Sequence, residues 1–445
     1  MADDYDAAVD ARERPELSPE DARPTAIDRS VTPRHFAGFD GLRAIAATTV
    51  LLVHTAIISG FTFKSSLGNY TSRLEIGVSI FFLISGFLLY RPFAVSHLSG
   101  RRSPITGRFW ERRILRIVPA YWLALTLLTY VFHIVEMGPG IGNIFIHYFF
   151  LQIYFPSSLA YGIGPAWSLC TEMSFYLVLP GIAAIVGSRR RSQKNQMVRE
   201  LISIATLYMI SLCFRWWWTH LPMFKAANGQ LHPTCGLHCS SHDLLLSVTN
   251  LWLPAQVDLF ALGMLLAVLS AWWSERESEP AWLSNRYMPW LSWIGAGVAF
   301  WSVSHLGLPR SPIGIPLPVP AMEMHALYGL FAFFLLIPAV FGPEDRSLIR
   351  RFLRCWPVAS IGVVSYGIYL WHIGVAQKVT SATGYSTFTI PFGVLTIFTF
   401  VFTTAIASIS YFGLEKQMLR IKGRLGWWNR PSGTPLSEAD QVLSK

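Results

Sequence analysis

Ten stretches of apolar sequence, most about twenty residues long, follow one another along this chain with short polar segments between them. They fall at 40–59, 76–94, 117–136, 166–187, 200–214, 246–272, 288–304, 322–341, 358–378 and 390–413, the fifth being the shortest. About twenty apolar residues in a helix cross a hydrocarbon core roughly 30 Å thick. Lipid offers no hydrogen-bond partner, so each stretch must satisfy its own backbone as a helix. The segment 143–155 is apolar but short and reads as interfacial or re-entrant.

Composition closes off the soluble alternative. Of 445 residues, 52% are apolar and only 14% charged, where a soluble domain carries about a quarter charged residues. The 17 Trp, 16 Tyr and 30 Phe suit aromatic belts at two membrane interfaces. A net charge of +10 could suggest nucleic acid, but the basic residues cluster in short segments between apolar runs. The tail before Phe36, Arg101 to Arg116, Arg189-Arg190-Arg191, Arg346 to Arg354 and the end from Lys416 all fall on one side when the spans alternate. Excess positive charge marks the cytosolic side, so no nucleic-acid partner is needed.

The expected fold is therefore an all-α polytopic membrane protein with about ten transmembrane helices in a single bundle and both termini cytosolic. Residues 1–35 are polar, charged and Pro-containing and read as a disordered cytosolic tail. The membrane domain is expected over 36–420, followed by a cytosolic tail over 421–445. No cleavable signal peptide is evident, so the first span is expected to direct membrane insertion. No internal repeat and no second soluble domain is visible. Cys235 and Cys239, with His232, His238 and His242, lie in an outside loop. Disulfide, free thiols and zinc all remain open there, and no metal site is assigned.

Ionisable groups inside a span are expensive and mark function by default. Arg43 and Asp40 stand at the cytosolic mouth of the first span, and His54 lies deep within it. Eleven residues of helix put His54 about 16 Å above Arg43 on the same face. Glu172 lies near the outer start of the fourth span, and His372 in the outer half of the ninth. The three are expected at similar depth as one titratable cluster. A buried histidine can also be a plain hydrogen-bond anchor between helices. Arg108, Arg112, Arg113 and Arg116 precede the third span, and Arg112 with Arg116, at i and i+4, can chelate one phosphate. Topogenic charge alone would ask for no such spacing. Gly77, Ser79, Ser85 and Gly86 form a small-residue track that suits close helix packing. RWWWTH, beginning at Arg215, suits an aromatic anchor or a sugar platform.

Four pieces together carry a resemblance to a known family: FDGLRAIAATTVLLVH, GVSIFFLISGFLL, FWERRILRIVPAYW and WSLCTEMSFY. In this order over about 380 residues they resemble the acyltransferase type-three family of membrane-bound O-acyltransferases. That family includes enzymes that O-acetylate bacterial surface glycans and antibiotics. SYGIYLWH, which holds Tyr366 and His372, and SYFGLEK also look familial, although Gln417 replaces a proline often found after the latter.

The resemblance implies a bacterial inner-membrane, multi-pass enzyme that moves an acyl group from acyl-CoA to a hydroxyl of an extracytoplasmic glycan or glycolipid. Acetyl is the family's commonest donor group. No tightly bound cofactor is implied; acyl-CoA is a co-substrate. His54, Glu172 and Arg43 are the catalytic candidates, and Arg43, Arg112, Arg113 and Arg116 the candidates for the CoA phosphates. Trp167, Tyr366 and His372 are candidates for substrate contact. His54 would be the general base, with Glu172 holding its tautomer. The competing reading is a proton-coupled transporter or lipid flippase using the same buried His and Glu.

Overall fold

The structure is a computed structural model, and it describes residues 36–100, 103–188, 192–220, 248–276, 280–308, 310, 318–342 and 347–420. From Ala37 onward the described residues form one compact unit, helical with no β-strand among them. Its main helices are α1 (Gly38–Ile58), α2 (Gly77–Ser99), α3 (Thr106–Thr126), α4 (Ile141–Tyr148), α5 (Trp167–Gly187) and α6 (Gln193–Thr219). Then come α7 (Leu253–Glu275), α8 (Met288–Ser304), α9 (Pro318–Val340), α10 (Trp356–Val363), α11 (Ser365–Ala382) and α12 (Phe392–Ser410).

Every expected span coincides with a helix. Among the described residues eight helices are long and apolar enough to cross a membrane, and nine if α10 and α11, bent by 72°, count as one broken span. The remaining candidate, α8, has only 17 residues, a rise of about 25 Å against a core of roughly 30 Å. The fifth segment, expected to be the shortest, belongs to a helix of 27 residues. Polar Gln193 to Glu200 and the Trp-rich end of α6 continue the helix beyond its apolar stretch, since helix formation does not require apolar side chains. The helix within 143–155 is eight residues long, about 12 Å, and cannot cross.

Two helices form the centre. The most apolar stretches of α7 and α2 are 72% and 61% buried, against 17% in α6 and 22% in α12. The outer pair presents its apolar side chains to the surroundings, as lipid-facing helices do. The central pair meets where Gly86 and Gly263 interlock. A Cβ on Gly86 would collide with the Phe260 carbonyl, and one on Gly263 with the Leu83 carbonyl. Backbones this close need glycine, and dispersion then does the work that the hydrophobic effect cannot do in lipid. Gly77 likewise lies against Ala46 and Thr49 of α1, so these glycines of the small-residue track serve packing. Phe260 completes the centre by stacking on Phe82 of α2 at 4.7 Å and on Phe175 of α5 at 4.0 Å.

Around this centre, α1 packs on α2, α10, α11 and α12, while α5 packs on α2, α3 and α7. The last helix does not stop after Glu415. A π-turn over Tyr411–Glu415 turns the Glu415 carboxylate inward, and helix resumes over Lys416–Arg420. Gln417 permits this because, unlike proline, it keeps the backbone N–H. The loop with Cys235, Cys239, His232, His238 and His242, the cluster Arg189-Arg190-Arg191, Arg346 and both expected tails lie outside the described residues. Among the described residues Cys170, Cys213 and Cys355 are free thiols.

Candidate functional site

A partly open chamber lies between α1, α2, α3, α5 and α11. One group of its lining residues is cationic: Arg43 from α1, with Arg113 and Arg116 from α3. The rest of its polar lining is Ser85, Ser168, Glu172, Tyr176, Ser365, Tyr366 and Tyr369. Local sequence explains who faces in. On α3, Arg113, Arg116 and Ile117 share the chamber-facing side at helical spacing. Arg112 lies about a quarter turn away and is exposed. Of the arginines expected near phosphate, Arg113 and Arg116 therefore line the chamber together and Arg112 does not, because the direction of the chamber selects the i, i+3 partners.

The cations are held without being used up. Arg43 pairs with Asp40 at 2.7 Å, and Arg113 lies in the field of Glu172 and Tyr176. Its Nε is buried and has no hydrogen-bond partner among the described residues. Arg116 acts electrostatically on buried Glu415, which the π-turn delivers. Donors left open among guanidiniums suit a multiply charged anion, since the planar fork pairs with two oxygens at once.

Glu172 does not meet His54. Its carboxylate accepts from Ser85 Oγ and, at 2.5 Å, from Tyr176 OH one turn along α5. The reason lies in the packing: α5 leans on α2, α3 and α7, whereas α1 packs on α2, α10, α11 and α12. His54 instead meets His372, with ring centroids 4.9 Å apart and His54 Nδ1 3.1 Å from His372 Nε2. The surrounding carbonyls dictate the protons. His372 Nδ1 faces the carbonyls of Tyr369 at 2.8 Å and Ile368 at 3.1 Å, and a carbonyl only accepts, so that nitrogen carries hydrogen. Neutral His372 then offers Nε2 as an acceptor. His54 Nδ1 also faces a carbonyl, Val50 at 2.8 Å, so it carries hydrogen and donates to both Val50 and His372. The free lone pair of neutral His54 is therefore at Nε2. His372, with the Val50 carbonyl, thus stands beside His54 Nδ1 where sequence reasoning expected Glu172.

Tyr369 joins the two regions. It lines the chamber, its ring lies 6.1 Å from that of His372, and its hydroxyl is tied to the Pro165 carbonyl and to Ser168 Oγ. Phe81 meets it edge-on at 6.0 Å and also lines the chamber. Tyr366 lines the chamber from below and donates to the Ile117 carbonyl at 2.9 Å. The bend between α10 and α11 is what turns Ser365, Tyr366 and Tyr369 inward together. Trp167 opens α5 and packs edge-on against Phe82 at 6.3 Å, one residue outside the chamber lining.

Tyr176 and Tyr369 escaped sequence reasoning because neutral hydroxyls carry no charge signal, and Ser85 was read only as part of a small-residue packing track. The i, i+4 spacing of Glu172 and Tyr176 was the available clue. Asp258 and His325 were also missed, although the rule that singled out Glu172, an ionisable group inside a span, applies to them equally. Among the described residues no group of three His, Cys, Asp or Glu side chains could hold a metal.

Fold and site first define a class: a polytopic helical membrane protein with a guanidinium-lined chamber beside a buried histidine pair. The family follows from comparison with known proteins. The model of the acyltransferase domain matches residues 36–412, and the chain belongs to that family. It is 23% identical over 411 residues to O-acetyltransferase OatA of Staphylococcus aureus, covering 89% of this chain and 59% of that protein. The chain thus spans about three fifths of the length of that relative. It is 24% identical to Nodulation protein 10 of Rhizobium leguminosarum bv. viciae, covering 88% of this chain and 95% of that protein. A shorter match, 28% over 178 residues, joins 37% of this chain to 26% of the peptidoglycan O-acetyltransferase OatA of Listeria monocytogenes. No solved structure matches the chain.

Proposed function

We propose that this protein transfers an acyl group, acetyl in the simplest case, from acyl-CoA on the cytosolic side of a bacterial inner membrane to a hydroxyl of an extracytoplasmic glycan or glycolipid. The observation that carries this reading is the adjacency of an anion-suited chamber to a histidine with an open lone pair. Arg43, Arg113 and Arg116 hold the phosphates of CoA, with Arg112 outside the chamber adding only surface charge. The pantetheine arm runs past Tyr366 toward Tyr369 and presents the thioester to His54. Both termini lie in the cytosol under this reading, and the expected tails flank the membrane domain.

The acceptor hydroxyl then attacks the thioester carbonyl carbon. His54 Nε2 takes the hydroxyl proton as the new C–O bond forms, and the C–S bond breaks. The same proton passes to the leaving thiolate, so the products are acyl ester and free CoA thiol. The imidazolium that forms in between keeps its Nδ1–H bonds to His372 and Val50. Glu172, away from His54, balances Arg113 and shapes the chamber through Ser85 and Tyr176. Trp167 and Phe82 border the path on the acceptor side.

The test is thioester cleavage by purified protein with acetyl-CoA and a total envelope extract, wild type against His54→Ala. Thiol release and labelled acyl transfer that disappear in the variant are expected. Undiminished transfer would remove His54 from the mechanism. No transfer from any acyl-CoA by folded protein would favour proton-coupled transport or lipid flipping. A hydroxylamine-sensitive adduct on His54 without acceptor would replace direct transfer by an acyl-histidine relay.

A further inference from the structure

A second polar cluster lies away from the chamber, where α6, α7 and α9 meet. Tyr208, Ser211 and Arg215 recur on one face of α6 at i, i+3 and i+7. Asp258 comes from α7 and His325 from α9. The carboxylate of Asp258 accepts from Ser211 Oγ at 2.9 Å, and His325 Nε2 reaches its two oxygens at 2.7 and 2.9 Å. Both Asp258 and His325 are almost wholly buried.

Arg215 is the odd member. It is 7% exposed and lies in the electrostatic field of Asp258 and His325, yet it makes no hydrogen bond to either. Its Nε and Nη2 are buried without a partner among the described residues. These two nitrogens form one edge of the guanidinium, the edge that grips two oxygens of a single oxyanion side-on. Asp258 does not fill it, because Ser211 and His325 already occupy the carboxylate. A buried guanidinium with this edge open is costly unless something supplies oxygens.

The level of the site says where those oxygens come from. Arg215 precedes the end of α6 at Thr219 by four residues, about 6 Å of helix. Its neighbours Trp216 and Trp217 are exposed, as interfacial aromatics are, and α6 is the least buried of the spans. The guanidinium is thus placed inside the bundle at headgroup depth, on a helix that faces lipid.

We propose that Arg215, backed by Asp258, His325 and Ser211, is a binding site for one phosphate group presented at the membrane interface. The inference stands apart from the acyl-transfer reading and shares no residue with the chamber. The phosphate could be the diester of a lipid headgroup or a soluble anion, and the two are separable by experiment.

The full-length protein in neutral detergent is titrated with short-chain phosphatidylglycerol, with diacylglycerol of the same chain length, and with inorganic phosphate. Native mass spectrometry reads bound lipid and thermal unfolding reads stabilisation. Phosphatidylglycerol is expected to bind at one site at least tenfold more tightly than diacylglycerol. Arg215→Gln is expected to abolish that preference. Arg215→Lys keeps the charge, loses the fork and is expected to weaken the preference about threefold, which serves if the glutamine variant does not fold. Stabilisation by inorganic phosphate, lost in the same variants, supports the site with a soluble ligand. Equal binding of the two lipids with no effect of phosphate overturns the proposal, as does a preference that both variants retain.

Discussion

Two carboxylates, Glu200 wholly buried and Glu172 half-buried, hold helices together in this protein, and they are finished to different degrees. Glu200 on α6 is wholly buried and receives Tyr90 OH at 2.5 Å, His97 Nδ1 at 2.7 Å and Gln196 Nε2 at 3.2 Å. Each of its donors comes from the same two helices, and little room is left for an outside group. Among the described residues Glu172 receives only Ser85 and Tyr176, and beyond them lies a chamber where the Nε donor of Arg113 stands open. Burial of charge is thus common to a structural clamp and to a candidate site. Unfilled hydrogen-bonding capacity beside a cavity is what separates them, because a fully satisfied buried network rigidifies and a partly satisfied one awaits a ligand.

The largest effect that could break this contrast is at His54. Replacing it with alanine is expected to lower the turnover of acyl transfer about a thousand-fold, within the usual range for a general base, with the unfolding temperature nearly unchanged. Arg113→Gln and Arg116→Gln come next. Each removes charge-assisted hydrogen bonds of about 1.5–3 kcal/mol, so KM for acyl-CoA should rise about tenfold or more while kcat changes little. Arg112→Gln, outside the chamber, should change KM less than about threefold, at the scale of a surface charge. Equal losses at Arg112 and Arg113 would return the phosphate site to the exposed face of α3.

At His372 the expected change is smaller and of another kind. His372→Ala should reduce kcat about tenfold, the scale of one lost orienting hydrogen bond. The asparagine variant, which can still accept from His54, should recover part of that loss. The smallest expected effect on turnover is at Glu200. Glu200→Ala leaves the Tyr90 and His97 donors unpaired and should destabilise the protein by about 2–4 kcal/mol. Turnover per folded molecule, measured after correcting for the active fraction, should be unaltered. A kcat loss there without loss of stability would erase the distinction between clamp and site.

The helices were legible in sequence because in lipid the period and length of apolar runs leave one solution. What could not be read was which neighbour each helix would take. Arg43, Arg113, Arg116 and Glu172 were visible as expensive charges, and the chamber does gather them. The partner of His54 was misjudged because depth along a helix says nothing of azimuth around the bundle. Glu172 and His372 were expected at one level, yet only His372 lies on a helix that touches α1 on the His54 side. The same limit applied to Arg112, whose exposure depends on where α3 leans. The inward turn of Glu415 depends on a π-turn, which one-residue insertions produce without any apolar signature.

Tyr369 and Phe81 have a consequence for the membrane as an insulator. If the chamber opens to the cytosol and an extracytoplasmic acceptor reaches His54 from the other face, two wet regions would approach each other across an energised bilayer. A proton falling through 100 mV releases about 2.3 kcal/mol, so a continuous file of water between them would run down the gradient at every idle moment. The pair of rings, one of them pinned by Pro165 and Ser168, would then be the plug in that file. A membrane that carries this protein would keep its voltage only while those two rings stayed closed around whatever passes between them.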